Sequence, residues 1–141
     1  MDEFIQTQTN RLQAINVGYE VVPNSNNEME QRWEEAFAIG ISKSQKRKLA
    51  FKQCMWNVFS WGKIKCLKEH QAKGAFDLQK KAGCYLICTS SEEAIFISKA
   101  SRLKAKDITH IGSDLYIVDD RFTWTYVLTH EEDCGPYFYK P

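Results

Sequence analysis

Phe122-Thr123-Trp124-Thr125-Tyr126-Val127-Leu128-Thr129 is a strict alternation of side-chain types. Successive side chains of an extended chain point to opposite faces. Phe122, Trp124, Tyr126 and Leu128 therefore share one side, and Thr123, Thr125, Val127 and Thr129 the other. The pattern predicts a half-buried β-strand with an aromatic core face and a threonine-rich outer face.

Working outward, the same period of two recurs at Cys84–Cys88, Ala94–Ile97 and Leu115–Val118, with a short closing strand at Tyr137–Tyr139. Thr89-Ser90-Ser91-Glu92-Glu93 links the first pair as a hairpin, and Asp119-Asp120-Arg121-Phe122 the last pair. Upstream the period lengthens. Met29, Trp33, Phe37 and Ile41 mark a helix over 27–39, with Asn26 or Asn27 as its cap. Ser42 or Ser44 can start a second helix running to about Trp61, with Phe51, Cys54, Met55, Val58 and Phe59 as its buried stripe. A third is expected over 69–82, and Val17 to Val22 reads as an edge strand. Helices followed by a meander predict an α+β domain. Its three N-terminal helices pack on one face of an antiparallel sheet of four to five strands. The whole 1–141 chain reads as a single domain, with residues 1–25 a loosely attached segment.

A net charge of +1 hides an asymmetry. Residues 1–42 carry two basic and seven acidic groups, 43–81 eleven and two, and 82–141 six and nine. The central block predicts contact with an acidic partner through Lys46, Arg47, Lys48 and Lys52. Lysine and arginine at a helix start oppose its dipole, so a local cost accompanies them. Trp61, beside Gly62 and lysines, reads as an exposed anchor, and Thr123 and Thr125 as a face able to meet a partner. The same basic segment, Lys43 to Lys68, carries the alternative of nucleic-acid binding.

Catalytic signatures are missing: there is no Gly-x-Ser-x-Gly elbow and no glycine-rich phosphate loop. The acid/base candidates are His130 with Glu131, and the Asp119-Asp120 pair. Along an extended strand the residues between them span about 30 Å, which sets them at opposite ends of a hairpin. His130-Glu131 near Cys134 lacks the second histidine of a zincin helix, so no metal and no cofactor is expected. The five cysteines carry no export signal beside them, and a reduced, cytoplasmic setting without membrane spans is the simpler reading. Cys54, Cys84 and Cys88 read as structural thiols.

Trp33-Glu34 with Phe37, Trp56-Asn57-Val58-Phe59-Ser60, Gly83-Cys84-Tyr85, Phe122 through Glu131 and Gly135-Pro136-Tyr137-Phe138 together carry a resemblance. Over residues 31–141 the chain resembles a family of small bacterial proteins, domain of unknown function 4275, chiefly from spore-forming Gram-positive species. The resemblance implies a cytosolic or prophage-borne protein and transfers no catalytic residues. The expectation is a non-enzymatic binding module, of inhibitor, immunity or adaptor type, acting through protein contact. A small hydrolase or nuclease-like enzyme using Asp119/Asp120 or His130/Glu131 is the alternative.

Overall fold

A computed structural model describes residues 2–89, 91–108, 112–131 and 133–141. Within these, the helices are α1 (Glu3–Ala14), α2 (Glu28–Phe37), α3 (Lys43–Lys48), α4 (Asn57–Ser60) and α5 (Glu69–Leu78). The strands are β1 (Glu20–Pro23), β2 (Leu67–Lys68), β3 (Cys84–Cys88), β4 (Glu93–Ile97), β5 (Leu115–Asp119), β6 (Thr125–Leu128) and β7 (Tyr137–Tyr139). All seven join one sheet in the order β1-β4-β3-β5-β6-β7-β2, each pairing antiparallel. The chain is thus α+β, but with seven strands where four to five were expected. β1 and the two-residue β2 form the sheet's borders. The hairpin link expected over 89–93 includes Ser90, which lies outside the described residues. No helix among the described residues is long and apolar enough to cross a membrane.

The helices do not gather on one face. Cys84, Leu86, Ile95, Ile97, Leu115, Ile117 and Tyr126 pack on one side with Phe4, Ile5 and Leu12 of α1 and with Ala72 and Phe76 of α5. Ile87, Tyr116, Val118, Val127 and Tyr137 pack on the other side with Met29, Trp33 and Phe37 of α2 and with Phe51, Met55, Val58 and Phe59. Within β5, odd residues enter the first core and even residues the second, as the strand's period of two requires. The central strands are therefore buried on both sides. The segment 1–25, expected to be loosely attached, supplies a covering helix: Ile5 is fully buried and Leu12 nearly so.

Two local differences have clear causes. The helix expected to run from Ser42 or Ser44 to Trp61 is broken into α3 and α4. Leu49 and Phe51 are both buried, yet two positions apart on a helix they face nearly opposite ways. Ala50, at φ +52°, turns the chain so that both point inward. Asn57 Nδ2 donates to the Leu49 carbonyl, which the break leaves free, at 2.6 Å. Likewise β6 starts at Thr125 rather than Thr123. Asp119 Oδ1 accepts the backbone N–H groups of Thr123 (2.6 Å) and Trp124 (3.2 Å), and Phe122 takes φ +54°. The turn is thereby extended by two residues.

Candidate functional site

Ser42 caps α3 by accepting the Gln45 N–H at 3.2 Å, and the turn at Ala50 folds Phe51 and Lys52 back beside it. The result is a pocket of about 590 Å³ lined by Lys43, Lys46, Arg47 and Lys52 around Ala50 and Phe51, with Glu34 as its one acid. Lys46 is tied to Glu34 at 2.6 Å and lies over the Phe51 ring. Lys43, Arg47 and Lys52 are exposed. Of the expected partner-binding cations, Lys46, Arg47 and Lys52 line this pocket; Lys48 is exposed but does not.

A second hollow, of about 540 Å³, has Ile39, Ile41, Ile64 and Tyr139 in its wall with Lys63 and Lys65. Ile39 is 76% exposed, an unusual state for an isoleucine. Trp61 stands at the end of α4 and is 61% exposed, whereas Trp33, Trp56 and Trp124 are buried.

Thr123 and Thr125 do not form an outer face. Thr123 is exposed but its hydroxyl donates to Asp119 Oδ2 at 2.5 Å. Thr125 is fully buried. Its Oγ1 accepts from Trp33 Nε1 at 2.9 Å and donates to the Ile117 carbonyl at 3.1 Å. A residue closed off by α2 cannot meet a partner, so Thr125 leaves the set of contact residues. Neighbouring helices turn the expected threonine-rich outer face into a second core.

Asp119 and Asp120 occupy the turn end of the β5–β6 hairpin and His130 the opposite end, as the Leu115↔Leu128 and Val118↔Thr125 pairings show. His130 instead meets a residue that the sequence did not single out. Asp114, 6% exposed, precedes β5, and its Oδ1 accepts both the His130 backbone N–H and the ring Nδ1–H, each at 2.8 Å. The Cys54 thiol, from the turn between α3 and α4, completes the group: one donor atom each from Cys54, Asp114 and His130 lies within 4.8 Å of the others.

Around this trio, Trp56 sets its indole edge-to-face against the His130 ring, with centroids 5.9 Å apart. Its backbone N–H donates to the Tyr116 hydroxyl at 3.1 Å. Trp56 Nε1 is the buried side-chain polar atom left without a hydrogen-bond partner among the described residues. Glu131, 56% exposed, places Oε1 3.7 Å from His130 Nε2, and Cys134 Sγ donates to its other oxygen at 3.5 Å.

Burial, and then the negative charges of Asp114 and Glu131, push the Cys54 thiol above its ordinary value. Burial, with Asp114 adding to it, holds the Tyr116 phenol well above its own. A thiol raised in this way is a poor resting nucleophile, because thiolate character is what makes cysteine reactive.

Among curated proteins and among solved structures nothing matches the chain. The family model described as Domain of unknown function (DUF4275) matches residues 7–138, and the chain belongs to that family.

Proposed function

We propose that this protein is a non-enzymatic binding module of inhibitor, immunity or adaptor type that holds an acidic, partly apolar segment of another protein. A reduced cytoplasmic setting suits the five cysteines of the chain. The observation that carries the reading is the pocket at α3. Four cations line it against one acid, and that acid is already neutralised by Lys46. Lys43, Arg47 and Lys52 remain as uncompensated positive charge, which attracts carboxylates and speeds encounter with an acidic partner.

The second hollow supplies the apolar part, through Ile39, Ile41 and Ile64 with Lys63 and Lys65 also in its wall. Exposed apolar surface rimmed by polar residues is a mark of protein contact sites. An enzymatic role for Asp119 has less support, since its carboxylate holds the turn through three hydrogen bonds.

The test uses a fluorescent peptide alternating glutamate and leucine, titrated into the full chain at two salt concentrations. Binding is expected to weaken with salt. It should also fall by about tenfold or more in a Lys43→Glu/Arg47→Glu variant, on the order of 1.4 kcal/mol. A peptide indifferent to both changes removes the reading. A DNA or RNA oligonucleotide held more tightly than the peptide moves it to nucleic acid.

A further inference from the structure

Outside the basic pocket, the trio at the open end of the β5–β6 hairpin combines three different donor types. We propose that Cys54, Asp114 and His130 form a three-ligand site for a divalent transition-metal ion of the zinc class. The site does not depend on the acidic-partner reading.

Thiolate, imidazole and carboxylate are the ligand set that zinc takes, and three protein ligands leave a fourth position open. The elements that carry them are fixed independently. Asp114 and His130 are held by adjacent paired strands. Cys54 is held by a turn whose neighbour Trp56 is hydrogen-bonded to Tyr116 of β5. Donors from separated parts of the chain thus converge without any contribution from the ion.

The three donor atoms, within 4.8 Å of one another, move to ligand spacing on binding. Ligand atoms about 2 Å from a tetrahedral ion stand about 3.3 Å from one another. Admitting one opens the 2.8 Å contact between His130 Nδ1 and Asp114 by about half an ångström. The His130 side chain is 41% exposed and sits beyond the end of β6, so it can make that shift. Among the described residues both hydrogen bonds to the Asp114 carboxylate fall on Oδ1; once Nδ1 turns to the ion, Oδ1 keeps the His130 backbone N–H and offers a lone pair to the metal. With Nδ1 on the ion, Nε2–H turns to Glu131, 3.7 Å away. This is the carboxylate–histidine–metal arrangement that fixes a ligand's tautomer.

The surrounding charge favours a cation over a nucleophilic thiol. The Asp114 carboxylate beside His130 and the Glu131 carboxylate 3.7 Å from its Nε2 both attract a dication, which stabilises thiolate and carboxylate together. On binding, the Cys54 proton leaves to bulk water.

Cobalt(II) is the probe, titrated into the full chain with its thiols kept reduced by a phosphine. The expected result is a thiolate-to-cobalt charge-transfer band saturating at a single equivalent and displaced by zinc. Cys54→Ser should abolish that band while Cys66→Ser keeps it, with far-ultraviolet circular dichroism confirming that both fold. His130→Ala should weaken binding by at least about tenfold, since even outer partners of a metal site cost 10- to 100-fold. A folded wild-type chain that shows no band overturns the site, and so does a band that survives Cys54→Ser.

Discussion

Trp33 Nε1 donates to Thr125 Oγ1 across 2.9 Å inside the core, joining residues 92 positions apart. Thr125 passes the bond on to the Ile117 carbonyl, so one hydroxyl fastens α2 to the middle of the sheet. Thr125→Val keeps the shape but strands a buried indole N–H. A loss of about 1–3 kcal/mol is expected in urea unfolding. Thr125→Ser, which keeps the hydroxyl, should lose clearly less.

The N-terminal helix is part of the folding unit. Ile5 is fully buried against the sheet beside Phe4 and Leu12. Ile5→Ala is expected to lower stability by about 2–5 kcal/mol through lost burial and a residual cavity. A dangling segment would show no change in the global unfolding midpoint.

Asp119 is a turn-builder. Removing its carboxylate in Asp119→Ala frees two backbone donors and the Thr123 hydroxyl. The expected cost is about 1.5–3 kcal/mol, the range for hydrogen bonds to a charged group. Asp119→Asn retains an acceptor for the backbone donors and should recover much of the loss in a thermal melt.

Alkaline stability reports on Cys84. Burial, the largest cause, pushes its thiol from 9.0 up to about 12. Between those values the unfolded chain gives up the proton and the folded chain keeps it, so stability falls as pH rises. It is complete below pH 9.0 and lost toward about 12. Each pH unit inside that window removes about 1.4 kcal/mol. Cys84→Ala should make the decline above pH 9.0 shallower when urea midpoints are followed against pH, and adding Cys66→Ala, whose thiol is raised to about 11, should make it shallower still.

Much of the architecture is legible from local pattern. Met29, Trp33 and Phe37 recur at helical spacing and all three are buried, and the alternation around Tyr126 does mark a strand. What pattern conceals is the second covering layer. Thr125 looks like a solvent residue because its hydroxyl is polar, yet Trp33 and the Ile117 carbonyl satisfy that hydroxyl in the interior. The charge of the Lys46–Lys52 region is visible in the sequence. Its concave shape is not, because it depends on the turn at Ala50 that brings Leu49 and Phe51 inward together.

The Cys54, Asp114 and His130 group is less legible still. Cys54 comes from a turn in another part of the chain, and its spacing on the stripe with Phe51 and Met55 suits a plain core residue. Asp114 offers one signal: a single carboxylate directly before an apolar strand. Counting across the hairpin sets Asp114 opposite Thr129, one residue from His130, only with the true register, which the longer turn at Phe122 shifts.

The sheet's borders are poor templates. β1 ends in Pro23, which has no N–H to give, and opens with the charged Glu20, while β2 offers only two residues, one of them Lys68. A neighbouring molecule therefore finds almost no free main chain along which to add a strand. Aggregation on heating should accordingly follow unfolding, when the two interiors come apart, rather than arise from native molecules stacking side by side.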